Sequence, residues 1–258
     1  MRKLGDFIME NQRTAKREKI DILSVQFDNV TMDEMKHHVT NFVEADTTDN
    51  MFVVTANPEI VDYALEDKNY YDLIGEADFI IPDGTGIIQA GRILGTPLKE
   101  RVPGIEFMAA CLAIAERHRQ KVFLLGASKH VVAEAVKQLQ KKYPHIEFAS
   151  HHGYIDTGDE SVARQVCNFN PDYIFVGMGY PKQEEWIKRH RHRFQHILLM
   201  GVGGSIEVYS GTKKRAPLIF RKLNLEWFYR LITDWKRMAR MQRLPRFVSK
   251  VFRTRLKK

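Results

Sequence analysis

Five short segments combine small, polar and acidic residues in a pattern that suits a phosphate-bearing ligand. They read Thr55-Ala56-Asn57-Pro58, Pro82-Asp83-Gly84-Thr85-Gly86, Gly126-Ala127-Ser128, Gly177-Met178-Gly179-Tyr180-Pro181-Lys182-Gln183 and Gly201-Val202-Gly203-Gly204-Ser205. Glycine lets backbone amides approach a phosphate, and a helix starting there adds the positive end of its dipole. Steric need alone also puts glycine in strand-to-helix turns, so a single segment decides nothing. The five together point to a phosphorylated ligand. None matches G-x-G-x-x-G or G-x-x-x-x-G-K-[ST], which argues against a dinucleotide dehydrogenase and a P-loop NTPase.

Asp83 is the most informative acid. It follows a buried-looking apolar run and Pro82, with Gly84 and Gly86 after it. A carboxylate held there suits a general base. It equally suits an Asx-turn or a cap for a helix beginning at Gly84. Thr55 and Asn57 carry the same two readings, sugar ligand or helix cap. No Asp-x-Asp pair occurs in the chain, and the ten histidines show no HExxH or paired metal spacing. No metal and no cofactor is therefore expected. His151, His152, His190, His192 and His196 read as surface residues, and Cys111 and Cys167 as buried thiols in a reducing compartment.

Apolar runs that end in these segments must position them. Strands are expected at 21–25, 51–55, 78–81, 121–125, 146–149, 172–176 and 197–200. Helices are expected from Thr31 to about Glu44, where Thr31 and Glu34 spell a capping box. Others open at Pro58 and after Gly84, and span Gly104 to about Arg117 and Lys129 to Lys142. Strands alternating with helices imply an α/β fold: a Rossmann-like, mainly parallel sheet with helices on both faces. In such sheets ligands bind beyond the carboxyl ends of the strands.

The 258 residues suffice for one sizeable core, with 44% hydrophobic content. Their net charge of +8 is unevenly spread. Residues 211–258 hold 16 Lys and Arg against Glu226 and Asp234, while residues 1–210 are net acidic. The expected division is a flexible leader over 1–19, a catalytic α/β domain over 20–210, and a basic C-terminal appendage over 211–258. At helical spacing Trp227, Leu231, Trp235, Met238 and Met241 share one arc, with Arg230, Lys236, Arg237, Arg240 and Arg243 outside it. That predicts a basic amphipathic helix ending near Pro245, followed by a second basic-apolar stretch from Arg246 to Arg253. Such a tail suits an anionic membrane surface, or alternatively a nucleic acid. No apolar run of 18 residues occurs. The expected place is the cytoplasm, peripherally on the inner face of the plasma membrane.

The segments above, with Arg101-Val102-Pro103-Gly104, Lys214-Arg215-Ala216-Pro217 and Asn224-Leu225-Glu226-Trp227, resemble those of the WecG/TagA/CpsF glycosyltransferases in order over roughly residues 20 to 248. Within that family the chain looks most like the wall teichoic acid enzymes. The resemblance implies transfer of N-acetylmannosamine from UDP-N-acetylmannosamine to the 4-hydroxyl of N-acetylglucosamine on undecaprenyl diphosphate. It implies Asp83 as the base, with Thr55, Asn57, Arg101 and Gln183 in the same pocket. Glu207 stands where the family often has Asp, as a nucleoside contact, beside Gly203 and Gly204. Arg230, Arg237 and Arg240 match arginines of an appendage that closes over the site. No nucleic acid partner is expected, and exposed tail residues allow homo-oligomers. The alternatives are another UDP-sugar donor within the family, or a non-enzymatic nucleotide-binding module with a nucleic-acid-binding tail.

Overall fold

The computed structural model describes residues 17–217, 219–220, 229 and 242–257. Arg230, Arg237 and Arg240, and the helix expected around Trp227 to Met241, lie outside the described residues.

The chain enters through a hairpin, β1 (Lys19–Ile22) and β2 (Val25–Asp28). Leu23 and Ser24 both take positive φ, 53° and 69°, which is the backbone of a tight hairpin turn. The single strand expected over 21–25 is therefore split in the middle. Arg17, just before β1, is already tied to the sheet. Arg17 donates to the Asp78 carbonyl at 2.7 Å and lies over the Phe79 ring at 3.7 Å. The first helix, α1 (Met32–Glu44), has the full capping box: the Thr31 hydroxyl accepts from Glu34 N, and the Glu34 carboxylate accepts from Thr31 N.

Next come β3 (Met51–Ala56), α2 (Pro58–Glu66), α3 (Lys68–Gly75), β4 (Phe79–Pro82), α4 (Thr85–Leu94), α5 (Gly104–His118) and β5 (Lys121–Gly126). They are followed by α6 (Lys129–Lys142), β6 (Glu147–His151), α7 (Glu160–Phe169), β7 (Tyr173–Gly177), α8 (Lys182–His190), β8 (Leu198–Gly201) and α9 (Ser205–Tyr209). β3 to β8 form a six-stranded sheet in the order β4-β3-β8-β7-β5-β6, and every pairing in it is parallel. All strand carboxyl ends thus lie on one side. Successive residues alternate between two cores. Phe52, Val54, Phe123, Leu125, Ile174 and Leu199 face one, while Val53, Val122, Leu124, Phe175 and Met200 face the other. Burial on both faces is why these strands are continuously apolar.

The exposed edge of β4 is covered by the hairpin. The buried Asp28 carboxylate accepts Ile80 N at 2.8 Å, with Arg17 and Lys19 at 3.5 and 3.7 Å. This removes an open edge that would invite pairing with another chain.

Two side chains depart from the sequence reading. Cys167 is exposed, because Val162, Ala163 and Val166 take the inward face of α7 and turn its neighbour outward. His190 is fully buried rather than on the surface. It ends α8 under Trp186, with ring centroids 5.0 Å apart, and its Nε2 is 2.9 Å from the Thr157 carbonyl oxygen.

The last described helix, α10 (Arg243–Leu256), contains Pro245 in its first turn. Proline is tolerated there because the first amides of a helix have no partner within it. Pro245 thus lies in the first turn of the helix that carries the second basic-apolar stretch. α10 packs against α2 and α4 and buries Phe247 and Val251. Lys250 and Arg243 reach the buried Asp62 carboxylate at 2.7 and 3.1 Å. Arg243 and Arg246 reach Glu66 at 2.7 and 3.2 Å. Part of the tail's positive charge is thus matched by the acidic body of the same chain. Among the described residues no helix is long and apolar enough to cross a membrane.

Asp62→Ala should loosen α10 by roughly 2 kcal/mol, because two charge-assisted bonds to a buried acceptor are lost. Amide exchange should accelerate in residues 243–256 and stay unchanged in the central strands; uniform acceleration would mean that Asp62 supports the whole fold instead.

Candidate active site

A cavity of about 1030 Å³ opens at the carboxyl ends of the strands. Turns after β3, β4, β5, β7 and β8 all contribute to its lining. The first residues of α2, α4, α5 and α9 lie in that lining too, at Pro58, Thr85, Gly104 and Ser205. Each start exposes amides without helical partners and the positive end of a dipole. Several converging starts favour an anionic ligand more than one would. Arg101, Lys213, Lys214 and Arg215 add cationic side chains to the same wall.

The glycines divide into two kinds. Those at the ends of β5, β7 and β8 serve close packing. A Cβ on Gly126 would sit 2.5 Å from the Gly177 carbonyl oxygen, and one on Gly177 would sit 2.8 Å from the Gly203 carbonyl oxygen. A Cβ on Gly201 would sit 2.5 Å from Gln183 Nε2. Gly203 and Gly204 differ. Gly203 has φ +48° and nothing within 4 Å of a Cβ position, and Gly204 has only the Glu207 carboxylate at 3.7 Å. Both line the cavity and leave room for a ligand beside the backbone.

Asp83 does not cap a helix. The residue before α4 is Gly84, and no side chain caps that helix. Gly84 takes φ +110°, a conformation that L side chains rarely adopt. The Asp83 carboxylate lies next to Thr55 and the start of α5. A Cβ on Gly104 would be 3.2 Å from Thr55 Oγ1 and 3.3 Å from Asp83 Oδ2. Glycine at the head of α5 is what lets that helix start approach both groups.

Thr55 Oγ1 donates to the Gly201 carbonyl at 3.3 Å, linking β3 to the end of β8. Asn57 caps α2: its Oδ1 accepts Ile60 N at 3.0 Å. Both side chains also line the cavity, so the cap and the ligand readings of Asn57 are compatible. Gln183 is 4% exposed. Its Oε1 accepts Gly179 N at 3.2 Å and Gly203 N at 3.1 Å, and its Nε2 donates to Glu184 Oε1 at 2.7 Å. Burial pushes the Glu184 carboxyl up to about 7, against the lowering effect of that hydrogen bond. Glu207 carries Lys213 at 3.6 Å, and its carbonyl accepts Ser210 Oγ, Thr212 Oγ1 and Lys213 N. It thereby shapes the turn that begins the basic segment.

A model of the "Glycosyl transferase WecG/TagA/CpsF family" matches residues 20–258. The chain belongs to this family. Its relatives include proteins of Staphylococcus aureus strains NCTC 8325 / PS 47, COL and MRSA252. Each is 52% identical over 250 residues, covering 97% of this chain and 97% of the relative. All three are called N-acetylglucosaminyldiphosphoundecaprenol N-acetyl-beta-D-mannosaminyltransferase. The chain is thus a glycosyltransferase with the α/β architecture that its sequence implied.

The structure brings Thr55, Asn57, Asp83, Arg101, Gln183, Gly203, Gly204 and Glu207 to this single cavity. Sequence reasoning had not singled out Glu59, Tyr154, Phe247 or Val251, which also line it. Glu59 directly follows the Thr55-Ala56-Asn57-Pro58 segment, so a signal was adjacent. Phe247 and Val251 belong to α10, and nothing local shows that this helix returns to form a wall. Arg215 also pairs with Glu106 of α5, holding the 213–215 segment at the rim.

The double duty of Asn57 can be separated. Asn57→Ala should cost about 1 kcal/mol of stability through the lost cap. Asn57→Asp should melt like wild type, because aspartate caps equally well, yet it removes an amide donor from the cavity. Loss of turnover in Asn57→Asp with an unchanged melt would assign the amide to substrate; full turnover would leave Asn57 a cap alone.

Proposed function

We propose that this transferase moves N-acetylmannosamine from UDP-N-acetylmannosamine to the 4-hydroxyl of N-acetylglucosaminyl-diphosphoundecaprenol, with inversion. The observation that carries the reading is the name shared by relatives 52% identical along 97% of both chains. The arrangement of the cavity is consistent with it. The donor is α-linked and the product named in those relatives is β, so one displacement at C1 suffices. The acceptor oxygen attacks C1, the bond from C1 to the diphosphate oxygen breaks, and the hydroxyl proton passes to Asp83. UDP departs with the electron pair.

Asp83 suits the base role because it lines the cavity, held by its own amide, which donates to the Ala56 carbonyl at 2.9 Å, with its carboxylate beside Thr55 and the start of α5. Charge developing on the diphosphate needs donors that are already in place. Arg101, Lys213 and Lys214, which line the cavity, would supply them. A well-aimed donor lowers a barrier by roughly 3 kcal/mol. Arg230, Arg237 and Arg240 would add planar guanidinium groups that meet phosphate oxygens in pairs. Glu207 and Tyr154 suit the nucleoside end.

The acceptor is lipid-linked, so we place the enzyme peripherally at the inner face of the membrane. α10 offers support. Phe247 and Val251 face the body, while Val248, Phe252 and Leu256 form a second stripe, with exposures of 43%, 51% and 86%, that starts at the cavity, which Val248 also lines. Arg253, Arg255 and Lys257 accompany that stripe. Apolar side chains with adjacent cations suit an anionic leaflet.

Asp83→Asn should cut UDP release about 10²- to 10⁴-fold, the usual span for a lost general base, in an assay with a short-chain lipid-diphosphate acceptor. Equal turnover of the two proteins would remove Asp83 from the mechanism and leave the substrates standing. Replacing Phe252 and Leu256 together by serine should weaken cosedimentation with anionic vesicles about tenfold or more, since each buried side chain contributes on the order of 1.5–3 kcal/mol. Unaltered sedimentation would exclude this stripe as the docking face.

A further inference from the structure

Behind the cavity lies a carboxyl that the transfer step does not use. Glu184 is 1% exposed and does not line the cavity. Its Oε1 accepts Gln183 Nε2 at 2.7 Å. The buried Tyr70 hydroxyl of α3 faces the same carboxyl. Gln183 meanwhile receives two backbone amides on Oε1, from Gly179 in the turn after β7 and from Gly203 in the turn after β8.

A primary amide has one accepting end and one donating end. Gly179 N and Gly203 N can only donate, so they require Oε1. That orientation sends Nε2 to Glu184, which accepts. The orientation is therefore dictated from both ends. Gly201 leaves the space in which it happens: a Cβ there would lie 2.5 Å from Gln183 Nε2 and 3.0 Å from Glu184 Oε1. Burying a carboxyl is unfavourable, and an apolar side chain of similar volume usually packs as well or better. A glutamate at this place is thus informative about what Gln183 must do.

We propose that Glu184 is a positioning residue for the donor diphosphate. It holds the Gln183 amide in the one orientation that ties the β7–α8 turn to the β8–α9 turn, and so sets the gap between Gly179 and Gly203. The role in donor binding rests on the UDP-sugar reading above; the role in joining the two turns does not.

The test compares wild type with Glu184→Gln and Glu184→Met. UDP affinity is measured by calorimetry, and amide exchange of residues 177–183 and 201–205 is measured without ligand. Glu184→Gln keeps an accepting oxygen, so affinity should stay within about threefold and exchange should match wild type. Glu184→Met fills the volume and accepts nothing. It should melt like wild type, bind UDP at least tenfold more weakly, and exchange faster in both segments. A Met variant with wild-type exchange in both segments overturns the proposal, as does a Gln variant impaired as much as Met. Should the Met variant not fold, the reversed pair decides. Gln183→Glu alone should speed exchange by setting two carboxylates together, and adding Glu184→Gln should restore it. No recovery would refute the pairing. Wild type that binds no UDP removes the substrate reading only, and the exchange data then settle Glu184.

Discussion

The site depends on how closely three strand ends approach one another. β5, β7 and β8 finish in Gly126, Gly177 and Gly201, and a Cβ on any of them would fall within 2.7 Å of a neighbouring atom. Without side chains at those points, Gly126 meets the backbone of Gly177, Gly177 approaches the Gly203 carbonyl, and Gly201 leaves room for the Gln183 and Glu184 side chains. Their following residues then face one shared cavity. Other residues at these three positions would push the turns apart, and the helix starts that follow would no longer converge. The single cavity is a consequence of that contact more than of any one catalytic side chain.

Convergence also explains how a cluster of polar groups is held without disorder. Thr55 is tied to Gly201, Asn57 to the first turn of α2, Gln183 to two glycine amides and Glu184, and Glu207 to the turn at 210–213. Thr55, Asn57 and Gln183 thus line the cavity while one side-chain atom of each is held by a structural bond. Preorganisation of this kind is what electrostatic stabilisation of a departing diphosphate requires, since dipoles that must first reorient contribute little. It also means that polar residues of such a site should not be sorted into structural and functional sets. Asn57 caps α2 and lines the cavity with the same side chain.

The uneven charge of the chain has two destinations. Arg243, Arg246 and Lys250 turn inward to Asp62 and Glu66, where the Arg243 hydrogen bond holds the Glu66 carboxyl below its ordinary range. Arg253, Arg255 and Lys257 lie beside the outward apolar stripe. One helix therefore serves as a wall of the cavity on one side and carries an apolar, cationic face on the other.

Much was legible in the sequence because it depends on local chemistry. The Thr31–Glu34 capping box, Pro58 at the start of α2, and the apolar runs of the six-stranded sheet each act within a few residues, and each appears within a residue or two of where it was expected. The family segments likewise carry the fold and the transferase activity in their order along the chain. What tertiary structure decided are matters of contact between distant residues. Whether Asp83 capped a helix depended on Gly84 and on the approach of Gly104. The split at Leu23 and Ser24 lacks the usual Asn-Gly signal of a tight turn, so only the hairpin pairing reveals it. The return of α10 to α2 is fixed by Asp62, some 180 residues away from its partners, and the buried Glu184 emerges only when two separate turns meet on one amide. Periodicity and spacing report on neighbours along the chain, while these outcomes were set by groups that folding alone brings together.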